Sequence, residues 1–332
     1  MLQHSTDVFA AIGDTPTIRL NELSQAVGRS IFGKCEFMNP SGSVKDRAAK
    51  AIIEDAVARG RLKPGGTIVE GTAGNTGIAL SMLGNALGCR TVIFIPDDQA
   101  HEKVDILRAY GAEVNVVPSV AFADERNYYH QARRHAEVVP GAIWADQFNN
   151  TVNRRAHFAT TGPEIWAALG DELTAFVTSA GTGGTIAGVA AALKERKPGV
   201  RVVLADPMGS SLYSHVKEGT LDFEGDSVAE GIGIKRITEN FKHAPIDDAV
   251  RVDDRTMVEM AHYLARSEGL LLGGSSALNV SAAARVARSL PAGSAIVTML
   301  CDGGQRSMSR LYNEAWLAAH ELAPRCSDLS FL

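Results

Sequence analysis

TIVEGTAGNTGIAL, residues 67–80, runs from a β-branched apolar stretch through a glycine turn into the start of a helical pattern. Thr67, Ile68 and Val69 suit a pleated, buried strand. Gly71, Gly74 and Gly77 relax the backbone, and the pattern from Asn75 to Leu87 is helical. A short strand apolar on both faces that feeds a helix is half of a βαβ crossover, which predicts parallel sheet covered on both sides. The same alternation recurs outward in both directions. Strands are predicted at 91–95, 113–117, 142–145, 175–180, 201–205, 249–252 and 295–300. Helical patterns fall at 46–60, 101–110, 124–137, 160–169, 184–196, 255–267 and 278–289. Units of this kind also build barrels, but the uneven spacing and the weakly patterned stretch 207–248 favour open sheets. The expected fold is α/β in two lobes, each an open, mostly parallel twisted sheet flanked by helices. The polar run QFNNTVNRR (147–155) is the expected crossover between lobes.

Composition narrows the class. With 332 residues the chain is long enough for two lobes, and 45% hydrophobic residues can fill their cores. A formal charge of −5 and the absence of a basic run argue against a nucleic-acid partner. No apolar stretch approaches the roughly 18 residues of a membrane span. MLQHSTDVF at the start lacks the pattern of a secretory signal, and the four cysteines are scattered without CxxC spacing. The expected setting is therefore the cytoplasm, with reduced thiols and no structural metal.

Three glycine-rich segments fall at turns of the kind that bind ligands in open α/β sheets. In EGTAGNTGIAL (70–80), backbone amides and the side chains of Thr72, Asn75 and Thr76 could meet an anion, although the same residues suit any strand-to-helix turn. SAGTGGTIAG (179–188) offers free amides and the hydroxyls of Thr182 and Thr185 at a helix start, a phosphate cup. It has neither the lysine of a nucleotide loop nor the GxGxxG spacing of a dinucleotide site. LLLGGSSAL (270–278) puts Ser275 and Ser276 at a strand-like end, where a helix cap is at least as good a reading as a ligand contact. NPSGSVKDR (39–47) is the most informative. A lone lysine is usually a solvated charge, but Lys45 stands at a helix N-terminus, where the macrodipole disfavours a cation and a nucleophilic amine is favoured.

Together, NPSGSVKDR, GTAGNTG, TSAGTGGT and GGSS resemble, in order and spacing, the cysteine synthase (O-acetylserine sulfhydrylase) and cystathionine β-synthase family of fold type II, tryptophan synthase β-like pyridoxal-phosphate enzymes. GDTPTIRL (13–20), DQFNN (146–150) and TTGPEIW (160–166) extend the likeness, which spans about residues 8–312. The resemblance implies pyridoxal 5′-phosphate held covalently by Lys45, which would also move the proton at the substrate α-carbon. Asn75 would meet the cofactor's ring hydroxyl, Gly181, Thr182, Gly183, Gly184 and Thr185 its phosphate, and Ser275 its pyridine nitrogen. Thr72, Ala73, Gly74, Asn75 and Thr76 would take the substrate carboxylate with Gln147 assisting, and Gly231, Ile232 and Gly233 would line the cleft. The reaction implied is β-replacement on O-acetyl-L-serine, or a similar β-substituted alanine, with sulfide or a thiol, through an α-aminoacrylate to L-cysteine. A homodimer is implied as well, with residues 46–150 as a smaller, mobile substrate lobe. Residues 8–45 and 151–315 would form the larger cofactor lobe, and 316–332 a tail.

Two positions and one segment depart from the family pattern. Ala73 replaces a usual serine, Gly71 a common proline, and LCDGGQR (300–306) a Pro-containing run. These leave the cofactor expectation intact and open the reaction to two alternatives. One is cysteine desulfhydration to sulfide, pyruvate and ammonia, and the other is a cystathionine β-synthase-like replacement. A non-catalytic protein on the same fold is disfavoured because Lys45 and Asn75 are both present. Metal hydrolysis is disfavoured because the nine histidines include no HExxH pair.

Overall fold

A computed structural model describes residues 5–326 and 328–332. The first third contains β1 (Thr17–Arg19), α1 (Asn21–Val27), β2 (Ser30–Cys35), α2 (Lys45–Ala58), β3 (Thr67–Gly71), α3 (Asn75–Ala86), β4 (Arg90–Pro96) and α4 (His101–Ala109). Then come β5 (Glu113–Val117), α5 (Tyr128–Val138), β6 (Ala142–Trp144), α6 (Val152–Ala159), α7 (Thr161–Leu169), β7 (Leu173–Ser179), α8 (Gly184–Arg196) and β8 (Arg201–Pro207). The chain finishes with α9 (Leu212–Glu218), β9 (Asp248–Val252), α10 (Asp254–Ser267), α11 (Gly274–Ser289), β10 (Ala295–Leu300) and α12 (Glu314–Ala319).

The strands form two sheets, ordered β5-β4-β3-β6 and β1-β2-β10-β7-β8-β9. Every pairing is parallel except β1 with β2. The period of two divides each strand between two helical layers. In the larger sheet Ala175, Val177, Val203 and Ala205 pack with Met257, Val258, Ala277 and Val280 of α10 and α11. The alternate residues Phe176, Val202 and Leu204 pack with Ile186, Val189 and Leu193 of α8. In the smaller sheet Ile68 meets Ile52, Ile53 and Leu80 of α2 and α3, while Val69 and Val92 meet Ala132 of α5. Each large side chain buried this way stabilises the fold by about 1.5–3 kcal/mol, so both lobes have cores of their own.

All eight predicted strands appear within about two residues of their expected ends. Two further strands, β1 and β2, and the helices α1, α6, α9 and α12 were not anticipated. β2 escaped because its sequence SIFGKC carries Gly33 and Lys34. Gly33 is needed because a Cβ there would lie 2.5 Å from the Leu300 side chain. Lys34 is buried because Glu164 pairs with it at 2.6 Å. One expectation is corrected: LLLGGSSAL does not follow a strand. Leu272 makes only an isolated antiparallel bridge to Gly303, and α11 begins directly at Gly274. The helix expected from 124 begins at Tyr128, capped by the Asn127 side chain. No helix among the described residues is long and apolar enough to cross a membrane.

Candidate active site

Lys45 is the first residue of α2, and the larger sheet fixes where it starts. Val44 donates its amide to Cys301 O at 2.9 Å, and Ser43 bridges Asp302. Behind Lys45, Asp46 accepts the Ser41 amide at 2.7 Å and is fully buried. Burial pushes its carboxyl up to about 6 against the pull of the Ser41 bonds. Arg47 is clamped by Glu36 at 2.7 Å and Glu164 at 2.6 Å, and Glu164 also holds Lys34. Burial works to raise the Glu164 pKa, but Arg47 and then Lys34 outweigh it and hold the carboxyl down to about 2. This charged cluster makes the first turn of α2 a rigid mount for the Lys45 amine.

The turn after β3 forms the wall of the cleft beside Lys45. Gly74 adopts φ +128°, and a Cβ there would stand 2.5 Å from the Lys103 stem. Its amide donates to Thr72 Oγ1 at 3.1 Å. Thr76 donates to Gln147 Oε1 at 2.5 Å, so Gln147 on the far side of β6 holds the turn. Gly71, the residue in place of proline, is explained by packing: a Cβ would lie 2.6 Å from Tyr128 O. Ala73 lies half-buried on the cleft wall and brings no hydroxyl.

The second glycine segment forms the opposite end. Gly183 precedes α8 with φ +83°, and the first turn of α8 has neither an acidic residue nor a side-chain cap. Gly184 donates its amide to Thr182 Oγ1 at 3.3 Å, and the other first-turn amides remain available to an anion. A Cβ at Gly181 would meet Gly231 O at 2.2 Å, so the Gly231–Gly233 segment closes directly over this loop. Asn153 donates to Thr182 Oγ1 at 3.0 Å, and Thr238 donates to Thr182 O at 2.7 Å. Thr185 Oγ1 lies 3.2 Å from His157 Nε2, and His157 Nδ1 lies 2.9 Å from Thr161 Oγ1. Burial, then the charges of Arg47 and Lys45, push His157 down to about 3, so its ring is neutral.

This neutrality has a measurable sign. An unfolded chain protonates His157 near its ordinary value of 6.5, whereas the folded chain resists until about 3. Stability from this group is full above 6.5 and drains as the pH falls. The stability advantage of wild type over His157→Gln should therefore shrink by about 1.4 kcal/mol per pH unit below 6.5. Urea unfolding between pH 5 and 7.5 measures it, and a pH-independent gap would show that the ring titrates in the fold as it does in the unfolded chain.

The third segment separates its two serines. Ser275 faces the cleft, whereas Ser276 is fully buried and accepts the Cys301 amide at 2.8 Å. Lys45, Thr72, Ala73, Gly74, Asn75, Thr76, Gln147, Gly181, Thr182, Gly183, Thr185, Gly231, Ile232, Gly233 and Ser275 all line one cavity of about 240 Å³. Gly184 is the exception; it lies behind the wall, where a Cβ would meet Asn153 Oδ1 at 2.1 Å.

Further residues in or beside this cleft had no role assigned from the sequence. Cys301 lines it next to Ser275, but burial pushes the thiol up to about 12, so it is not ionised. Lys103 is buried with Glu230, which also pairs with Arg310 at 2.9 Å and accepts the Ala100 amide. Arg236 lies 4.1 Å from the Phe122 ring centre, with Phe148 and Tyr129 alongside. Both clusters join the smaller-sheet side to the 207–248 stretch. Asn75 is held by Asp302 and Arg306. Only contacts between distant segments reveal these roles. No group of metal-binding side chains occurs among the described residues.

A family model described as pyridoxal-phosphate dependent enzyme matches residues 8–302. Among curated proteins, Cysteine synthase 1 of Neurospora crassa is 51% identical over 94% of this chain and 84% of its own length. A cysteine synthase of Dictyostelium discoideum is 45% identical, covering 99% of this chain and 89% of its own length. Among solved structures, an O-acetylserine dependent cystathionine beta-synthase from Helicobacter pylori superposes with a TM-score of 0.86 at 34% identity. It covers 93% of this chain and 99% of that one.

Proposed function

The chain belongs to the pyridoxal-phosphate dependent enzymes, and from that membership we propose that it is a cysteine synthase, joining sulfide to the β-carbon of O-acetyl-L-serine or a similar β-substituted alanine. One observation carries the reading: Lys45, Asn75, Ser275 and the Gly181–Thr185 loop converge on one cleft. These groups fit the cofactor. An amine faces the cavity from a rigid helix start, free helix amides and Thr185 suit a dianionic phosphate, and Ser275 suits a ring nitrogen. When bound, pyridoxal 5′-phosphate supplies the electron sink that lets an α-proton and a β-substituent leave.

In our reading the protein's own groups do the rest. Lys45 holds the cofactor and takes and returns the proton at the substrate α-carbon. Thr72, Ala73, Gly74, Asn75 and Thr76 receive the substrate carboxylate through amides and hydroxyls, with Gln147 bracing Thr76. Gly231, Ile232 and Gly233 close the other side. A serine at the ring nitrogen is a neutral partner, which favours prompt loss of the β-substituent over a long-lived carbanion. We take residues 46–150 as the smaller, mobile lobe. The Lys103–Glu230 pair and Arg236 among its aromatic rings shut it against water. A second copy of the chain is the partner we propose. Free thiols at all four cysteines suit a reducing compartment, the cytoplasm in our reading.

The test is the visible absorption of the purified holoenzyme. O-acetyl-L-serine should move the cofactor band to longer wavelength, and sulfide should restore it with cysteine formed. Ala73, which removes a hydroxyl beside the carboxylate site, supports a second reading, release of sulfide from cysteine. An enzyme that ignores O-acetyl-L-serine but liberates sulfide from cysteine would replace the first reading with the second.

A further inference from the structure

Asn75 reaches the cleft from α3, and both ends of its carboxamide are taken by charged partners from the far end of the chain. Its Nδ2 donates to Asp302 Oδ2 at 2.7 Å, and its Oδ1 accepts from Arg306 Nη1 at 2.7 Å. Oxygen and nitrogen of an amide are ordinarily interchangeable in such a site. Here they are not, since a guanidinium only donates and a carboxylate only accepts. Both partners impose the same orientation.

Both partners are also firmly mounted. Asp302 and Arg306 are 8% and 6% exposed. The Asp302 backbone carbonyl accepts the Gly273 amide at 3.0 Å, and its backbone bridges Ser43, two residues before Lys45. Arg306 also donates to Ser41 O, in the loop that leads to Lys45. With Oδ1 held by the positively charged guanidinium and one Nδ2 hydrogen given to Asp302, the second Nδ2 hydrogen is the donor Asn75 has left to offer the cleft.

Resting on the reading that Asn75 meets the cofactor's ring oxygen, we infer that Asp302 and Arg306 are positioning residues that make Asn75 an N–H donor toward that oxygen and so keep the oxygen ionised. An N–H donor stabilises an ionised ring oxygen more than a neutral hydroxyl, because a charged acceptor makes the stronger hydrogen bond. The departure LCDGGQR thus places at 302 a side chain that acts on the cofactor's charge state through its neighbour.

The experiment compares holoenzymes of wild type, Asn75→Ala, Asp302→Asn, Arg306→Gln and the Asp302→Asn/Arg306→Gln double variant at saturating cofactor. Absorption and emission spectra are titrated with pH, with thermal unfolding recorded in parallel. In the double variant both neighbours can donate or accept, so Asn75 is free to turn. The share of cofactor with a neutral ring oxygen should rise about tenfold, the worth of one charge-assisted hydrogen bond. Each single variant leaves one constraint in place and should give a smaller rise. A purely structural role would lower the melting temperature and leave the spectrum unmoved. A wild-type spectrum in the double variant, with Asn75→Ala shifted, overturns the proposal alone. An unshifted Asn75→Ala overturns the reading of Asn75 beneath it. If the double variant does not fold or hold cofactor, the single variants decide, and unchanged titrations in both overturn the proposal.

Discussion

Lys45→Ala should yield a folded protein that has lost the visible band of the covalently held cofactor and at least about a thousandfold of its turnover. General acid–base transfer alone is worth about 10²–10⁴-fold, and the substitution also removes the covalent anchor. The fold should survive, because what mounts Lys45 does not use its side chain. Val44 still bonds Cys301, Arg47 keeps Glu36 and Glu164, and alanine is the best helix former. Absorption spectra, turnover and urea unfolding on the same preparation check all three parts. A variant that keeps the shifted band would remove Lys45 from the site.

Glu164→Gln should be the most damaging of the conservative changes for stability. The carboxylate pairs with Lys34 and Arg47, whose side chains are both 2% exposed, and Glu36 is the other acid of the cluster. Neutralising it leaves two buried cations facing one buried anion. Breaking a buried pair in this way costs about 3–5 kcal/mol. The pH sign follows from a carboxyl held at about 2 in the fold against 4.5 outside it. The stabilisation is complete above 4.5 and is lost as the pH falls through 2, so wild type and variant should converge in acid and stay apart at neutrality. Urea unfolding at pH 7 giving a difference below about 1 kcal/mol would show the cluster to be expendable.

The parts of this molecule that were legible beforehand are those that recur locally. β3, β4, β7 and β8 announce themselves as runs of Val, Ile and Phe, and the glycine turns follow strands or start helices as chain neighbours. β2 was hidden because Lys34 reads as a surface charge until Glu164 is seen beside it. Gly71 read as an oddity until the Tyr128 backbone was found packed against it. Local pattern treats the two serines of GGSS alike, and the resemblance alone singled out Ser275; the return of β10 accounts physically for Ser276 turning inward to the strand. Asp302 and Arg306 lie more than two hundred positions from Asn75, and no periodicity links them.

The place of β10 in its sheet has a consequence for how the molecule is made. It lies between β2 and β7, pairing Ile31 with Ile296, yet among the strands of the described residues it is the last to be synthesised. The smaller sheet is contiguous, from Thr67 to Trp144, and can assemble while synthesis continues. The larger sheet must wait with an open slot at its centre. Val44 and Ser43, which seat the amine of Lys45, find their partners only when Cys301 and Asp302 arrive. A nascent chain that has reached α11 but not β10 therefore carries all three glycine loops while Lys45 still lacks its seat, which is complete only once Cys301 and Asp302 have been made.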